Sequence, residues 1–343
     1  MRPRWPLALV VVALFSSGPA AGQVSFREHQ LVVDKIDGPA LSVHFIDVGQ
    51  GDSILVQAPD GETLLVDTGP RKRTANPLPY LREIGVKRID HLMITHSHLD
   101  HTGGFQTLAK ALPIGEFWWS GYFHPTGTSE RLLKKVEELK IPTRKLKRGD
   151  ELKLGKDVRI QVLHPPETMT PVDHDLNNYS VVLRITYGDI DFVLTGDAEI
   201  KAERMILASN LPVDAEFLKL GHHGSETATT LAFLKSVHPE FGVISCGRNN
   251  KYNHPHTGTL EHLTEANVTI LRTDEVGTVV VRTDGKKIAI HLKGQRVGHV
   301  LLRGTGYQTI LITVRREDDE ALQSLDRLAG RAPAHEHRLG RAA

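Results

Sequence analysis

Short apolar runs, separated by turns rich in glycine and aspartate, recur along this chain and predict many strands. Leu41–Val48 (LSVHFIDV) and Ser53–Gln57 (SILVQ) alternate or run apolar like adjacent strands, joined across Gly49-Gln50-Gly51-Asp52. Asp60-Gly61 is a hairpin signal leading into a third strand, Thr63–Val66. Leu92-Met93-Ile94 forms a further short, buried run that ends at Thr95. Val158–His164, Tyr179–Thr186, Asp191–Leu194, Phe217–Leu220 and Phe241–Ser245 continue the series, and Thr278–Leu292 reads as two strands around Asp284-Gly285. Helical spacing predicts helices over Asn76–Ile84, Phe105–Ala111, Glu130–Leu139, Glu199–Leu207 and Thr230–Val237. Ser129 is the expected N-cap of the Glu130–Leu139 helix, and Pro142 stops it.

The chemistry collects where the apolar runs end. His96, His98, Asp100 and His101 follow the run closing at Thr95, and Gly103-Gly104 then lets the backbone pass close to them. Three imidazoles and a carboxylate at one strand end form an N/O donor set suited to zinc, manganese or iron. A single histidine there would be ordinary surface; HxHxDH after an apolar strand is a metal pattern. Asp67-Thr68-Gly69 closes the third strand, and Asp67 is placed either to orient a metal ligand or simply to turn the chain. Thr195-Gly196-Asp197 repeats the theme, making Asp197 a candidate ligand that bridges two cations. Gly221-His222-His223-Gly224-Ser225 repeats it again, and His222, nearer the strand end, is the preferred inward imidazole. The later polar loop holds Arg248, Asn249, Asn250, Lys251, Asn253, His254 and His256, which suit an anionic substrate group or an ordinary surface loop.

Composition changes this picture little. The 343 residues, 40% hydrophobic and 24% charged, suffice for one large domain or two small ones. A formal charge of +1 argues against a general polyanion-binding field. Lys135, Lys140, Arg144, Lys145, Lys147 and Arg148 make a local basic run, most simply a solvated face. Residues 1–22 have the layout of a secretory signal peptide. Arg2 and Arg4 precede the nine apolar residues Leu7–Phe15, and Ala20-Ala21-Gly22 offers cleavage before Gln23. Nine residues are too few to span a bilayer as a helix, so export without stable membrane insertion is expected. The one cysteine, Cys246, excludes an internal disulfide and ends an apolar run, so it reads as a buried small hydrophobe.

Taken together, DVGQGDSILV, LLVDTG, THSHLDHTGG, LNNYSVVLRI, VLTGDAE, LKLGHHGS and NHP resemble the metallo-β-lactamase superfamily. More narrowly they are similar to the hydrolase domain of ComEC-type DNA-uptake proteins and their free-standing exported relatives, from about Leu41 to His291. The resemblance implies an α/β fold, a four-layer αββα sandwich with two mostly antiparallel sheets inside. It implies one or two divalent ions, zinc or manganese: His96 and His98 on one, Asp100 and His101 on the other, Asp197 bridging and His222 completing the cluster. It implies a metal-activated water as nucleophile, with Asp100, His222 and His223 as catalytic residues and Asp67 supporting the ligand loop. Asn178, Ser225, Asn250 and His254 are the expected substrate contacts. Where the wider superfamily supplies another metal-binding histidine, this chain has Asn177-Asn178-Tyr179-Ser180.

The expected product is an exported metal-dependent hydrolase acting on phosphodiester bonds of DNA or a related phosphate ester. Lactone, thioester or β-lactam hydrolysis on the same fold, or capture of nucleic acid or a surface component without turnover, are the alternatives. The expected organisation is a signal peptide over 1–22, the hydrolase domain over 23–293, a strand-like segment over 294–316 and a largely disordered tail over 317–343.

Overall fold

A computed structural model describes residues 36, 38–72, 75–122, 127–169 and 176–293. The signal-like segment 1–22, the strand-like segment 294–316 and the tail 317–343 lie outside the described residues.

Period-two alternation builds the inner layers. In β3 (Thr63–Val66), Leu64 and Val66 face one core while Leu65 faces another. In β4 (Ile89–Ile94), Met93 points to the same inner core, and Leu92 and Ile94 point away from it. The first sheet also contains β1 (Leu41–Phe45), β2 (Ile54–Gln57), β5 (Ile114–Trp119), β6 (Thr143–Lys145), β14 (Thr278–Thr283) and β15 (Ile288–Lys293). Its order is β15-β14-β1-β2-β3-β4-β5-β6. The second sheet contains β7 (Glu151–Leu154), β8 (Val158–His164), β9 (Val182–Tyr187), β10 (Ile190–Leu194), β11 (Phe217–Lys219), β12 (Phe241–Ile244) and β13 (Thr269–Arg272), in the order β13-β12-β11-β10-β9-β8-β7.

The inner core lies between the sheets. Phe45, Met93 and Trp118 from the first sheet meet Phe192, Phe217 and Phe241 from the second. The three phenylalanines stack, with centroids 4.9 Å and 4.8 Å apart. Burying each such ring contributes about 1.5–3 kcal/mol, and each aromatic pair adds about 0.5–1.5 kcal/mol. Helices cover the outer faces. α1 (Leu78–Glu83), α3 (Phe105–Ala111) and α4 (Gly127–Glu138) close the first sheet through Leu81, Phe105 and Val136. α5 (Ile200–Leu207), α6 (Leu231–Val237) and α7 (Thr257–Glu265) close the second through Ile206, Phe233 and Leu263. The result is the αββα sandwich.

The sheets are mixed rather than mostly antiparallel. β15 through β3 pair antiparallel, but β3-β4-β5-β6 pair parallel. Likewise β7 through β10 pair antiparallel, while β10-β11-β12-β13 pair parallel. Each parallel neighbour is reached through a helical crossover, which parallel pairing requires. Several of these elements, β5, β13 and α7 among them, gave no periodic signal strong enough to be expected. Local boundaries also differ: Ser129 lies inside α4, not at its N-cap, and Tyr179 belongs to a 3₁₀ turn (Leu176–Tyr179) before β9. Thr230 does cap α6, accepting from the Phe233 N–H at 3.2 Å.

Parallel pairing has a functional consequence. It sends the carboxyl ends of β3 and β4 in one direction and those of β10, β11 and β12 in one direction. The Val181 N–H donates to the Thr95 carbonyl at 3.0 Å, which ties the two sheets together where β4 ends. Polar side chains after those strands therefore converge on one edge.

Candidate metal centre

Backbone packing sets the loop that carries the first ligands. The His98 carbonyl accepts from the Thr102 N–H at 3.0 Å and the Thr102 hydroxyl at 2.9 Å, so α2 (Leu99–Thr102) is a single fixed turn. A Cβ at Gly51 would collide with the Asp100 carbonyl oxygen, and one at Gly104 with the Thr68 carbonyl oxygen. Only glycine permits both approaches.

Within that frame the donors form two groups that share Asp197. His96, His98 and Asp197 offer ligand atoms all within 4.8 Å of one another, and so do Asp100, His101, Asp197 and His223. His96 Nε2 and His98 Nδ1 lie 2.9 Å apart. Asp197 Oδ2 is 3.7 Å from His96 Nε2, 3.2 Å from His101 Nε2 and 3.5 Å from His223 Nε2. Asp100 Oδ2 stands 3.3 Å from His223 Nε2. His96, His101, Asp197 and His223 are buried, while Asp100 and His98 are partly open.

Asp67 sits behind His101. Its backbone takes φ 60°, a left-handed conformation that aspartate tolerates better than most residues. Oδ1 accepts from the Thr95 N–H at 2.8 Å, and Oδ2 accepts from the Thr95 hydroxyl and His101 Nδ1, each at 2.7 Å. That bond puts the His101 proton on Nδ1 and turns Nε2 towards Asp197.

The donor set fits a divalent ion. Asp197 Oδ1 is buried with no hydrogen-bond partner among the described residues, and the buried His101 Nε2 and His223 Nε2 face carboxylates at 3.2 Å and 3.3 Å. An orphaned buried acceptor costs about 1–3 kcal/mol unless something satisfies it. Electrostatics agree. Burial works against charge throughout, yet His101 holds its proton well above the ordinary imidazole range because Asp197, Asp67 and Asp100 surround it. His223 is likewise pushed up to about 10, burial being outweighed by Asp197 and Asp52. Asp197 is held well below the usual carboxylate range despite its burial, by His101 and His223. The field that retains those protons is the field that attracts a dication, and imidazole with carboxylate suits zinc, manganese or iron.

The histidine pair is oriented the other way round from the sequence expectation. Gly221–Gly224 forms a 3₁₀ turn in which His222 and His223 take φ 45° and 57°, so alternation from β11 does not carry over. Two consecutive non-glycine residues in this region are strained, and such strain concentrates at functional sites. His223 turns inward, its Nδ1 donating to the Ser245 carbonyl at 2.9 Å. His222 turns towards Glu199, with Nδ1 2.8 Å from Oε1 and Nε2 3.9 Å from Asp197 Oδ2. It borders the cluster instead of belonging to either group.

The expected substrate contacts separate. His254 adjoins the centre, its ring 5.4 Å from His222 and 6.2 Å from His223, and burial beside His222 and His223 lowers its pKa to about 4. Asn178 is buried, and its Oδ1 accepts from the Ala202 N–H at 2.9 Å, which anchors α5. Its neighbour Asn177 is the amide beside His222, at 3.4 Å from Nδ1. Asn250 uses its amide to close its own loop, bonding Gly247, Tyr252 and His254 backbone. Ser225 is buried in a turn with Thr227. In each of these three residues a side-chain polar atom is engaged by a backbone group. In the region where the superfamily pattern places another histidine, Ser180 Oγ stands 3.4 Å from His96 Nδ1 and accepts from the Asp197 N–H at 3.2 Å.

Glu199, Asp52 and Lys219 lie within the motifs VLTGDAE, DVGQGDSILV and LKLGHHGS, yet none was expected to have a site role. Glu199 looks like an ordinary first-turn acid, Asp52 like a turn residue, and Lys219 sits inside an apolar run. Half of the basic run is paired with acids: Lys135 with Glu138, Arg144 with Glu116 and Lys147 with Glu167. Cys246 is buried, and burial beside Asp274, which accepts its S–H, pushes the thiol far up and away from nucleophilic thiolate.

Comparison with known proteins gives a consistent result. The family model described as metallo-beta-lactamase superfamily matches residues 46–248. The chain is 34% identical over 257 residues to ComE operon protein 3 of Bacillus subtilis (strain 168), covering 70% of this chain and 33% of that protein. It is 31% identical over 247 residues to Recombination protein 2 of Haemophilus influenzae, covering 68% of this chain and 28% of that protein. The chain thus spans about a third of the length of these curated relatives. Among solved structures, the metallo-beta-lactamase fold protein YhfI from Bacillus subtilis aligns with TM-score 0.43 at 15% identity, covering 67% of this chain and 95% of that one.

Proposed function

The chain belongs to the metallo-beta-lactamase superfamily, and from that premise we propose that it is a metal-dependent hydrolase of phosphodiester bonds, with DNA or a related phosphate ester as substrate. The observation that carries the hydrolytic reading is the convergence of His96, His98, Asp100, His101, Asp197 and His223, with the buried Asp197 Oδ1 left unpaired. His96, His98 and Asp197 would hold one ion, and Asp100, His101, Asp197 and His223 a second. Ions bound there supply Lewis-acid polarisation and lower the pKa of water. Asp100, partly open between His101 and His223, would be placed to hold a proton given up by an attacking water. His222, oriented by Glu199 and 26% exposed, is placed to give a proton to a leaving oxygen. His254 lines the same side and offers an uncharged imidazole to a substrate oxygen.

The phosphodiester class is supported by the name of one relative, Recombination protein 2. Export is supported by the signal-like layout of residues 1–22. No helix among the described residues is long and apolar enough to cross a membrane. Hydrolysis of bis(p-nitrophenyl) phosphate and of single-stranded DNA, assayed with added zinc or manganese, tests the reading. Turnover is expected above that of a His98→Ala/Asp100→Ala double variant. Equal rates overturn it, and turnover only of a lactone, thioester or β-lactam reassigns the bond.

A further inference from the structure

Lys219 is the only buried lysine among the described residues, with none of its surface exposed. It ends β11, and its ammonium lies 2.8 Å from Asp52 Oδ2 while donating to the Leu220 carbonyl at 2.8 Å. Asp52 is 1% exposed and occupies the turn between β1 and β2. Its Oδ1 stands 3.5 Å from His223 Nδ1, beside the Ser245 carbonyl to which that nitrogen donates. The Asp52 backbone is held on both sides: its N–H donates to the Asp100 carbonyl at 3.3 Å, and its carbonyl accepts from the Gly69 N–H at 2.8 Å. One residue therefore touches the Asp100 loop, the Asp67 turn and the inward histidine.

Two charges taken out of water are a poor route to stability, because desolvation cancels much of their attraction and an apolar pair often serves as well. The placement of this pair points elsewhere. His101 has a carboxylate, Asp67, on its Nδ1 side and Asp197 on its Nε2 side. His223 has a related arrangement: its Nδ1 donates to the Ser245 carbonyl with Asp52 3.5 Å away on the same side, and Asp100 and Asp197 lie on its Nε2 side. Asp67 is fixed by bonds from Thr95, whereas Asp52 has the Lys219 ammonium. Carboxylates behind ligating imidazoles fix the ring and its tautomer.

We propose that Asp52 and Lys219 act as one positioning unit for His223: Asp52 braces the Nδ1 side so that Nε2 meets Asp100 and Asp197, and Lys219 fixes the carboxylate in place. This rests on the metal-centre reading given above. Lys219 also supplies the positive charge that lets the buried Asp52 sit near Asp67, Asp100 and Asp197 without adding to their repulsion.

The test pairs thermal unfolding with chelator-competition titration of zinc and manganese, using Lys219→Met, Asp52→Asn and the Asp52→Asn/Lys219→Met double variant of the full chain. Lys219→Met alone is expected to lower both the melting temperature and metal affinity. The double variant is expected to recover the melting temperature yet bind one of two metal equivalents about 10–100-fold more weakly. The other equivalent, on His96 and His98, should be unchanged. Asp52→Asn, close in size, should show the same selective loss even if the lysine variants do not fold. Wild-type affinity for both equivalents in the double variant or in Asp52→Asn overturns the positioning role while leaving the metal centre standing. No metal uptake by the wild-type chain overturns both.

Discussion

Asp197→Asn lowers the rate of metal-dependent hydrolysis by on the order of 10³-fold or more, while the chain still folds. The reason is that Asp197 is common to both donor groups. Its Oδ2 approaches His96, His101 and His223 at 3.7, 3.2 and 3.5 Å, so no other single residue is so central. Asparagine keeps the size and the backbone N–H that donates to Ser180 Oγ. It removes the negative charge that would be shared between two ions. Losing about 4 kcal/mol of charge stabilisation in the transition state corresponds to about three decades in rate. The fall should appear in kcat, since the residue lies among the ligands and not along a substrate-binding surface. Steady-state kinetics with a chromogenic phosphodiester checks this; a variant that retains a tenth or more of wild-type kcat would contradict it.

Removing metal destabilises the fold at its functional edge. A metal-free cluster buries Asp197, Asp67 and Asp52 together with protonated His101 and His223, and leaves Asp197 Oδ1 without a hydrogen-bond partner. A divalent ion binds only the folded arrangement, because its ligands come from segments that meet only when both sheets form. Free metal at about 100 times Kd contributes about 2.7 kcal/mol, which for a domain of this size raises the melting temperature by roughly 5–10 °C. The expected result is a lower melting temperature after chelator and dialysis, restored by zinc or manganese but not by calcium, which prefers an all-oxygen shell. Identical melting curves with and without metal would show that the donors are not a binding site.

How much of this was legible in sequence depends on how local each signal is. HxHxDH is a local spacing, so His96, His98, Asp100 and His101 were visible at once, and the structure gathers them. Asp67 and Asp197 were visible because each closes an apolar strand with the same small polar turn. The orientation of His222 and His223 was not visible: it depends on two left-handed backbone positions that interrupt the alternation of β11. Asn178 and Asn250 carry the right chemistry for substrate, but whether an amide is free depends on which backbone groups fold against it. Asp52 and Lys219 lie far apart in the sequence and meet only when β11 is stacked beside the β1–β2 turn. The sheets show the same limit. Individual strands such as Val158–His164 were read correctly from their periodicity, whereas parallel pairing is a property of the crossovers between them.

The most direct measurement is the metal content of the folded chain after equilibrium dialysis against zinc or manganese, counted as equivalents per chain by elemental analysis. The geometry predicts two equivalents for the wild-type chain and at most one for Asp197→Asn. Retention of no metal above a His98→Ala/Asp100→Ala control would contradict the metal centre and, with it, the hydrolytic function.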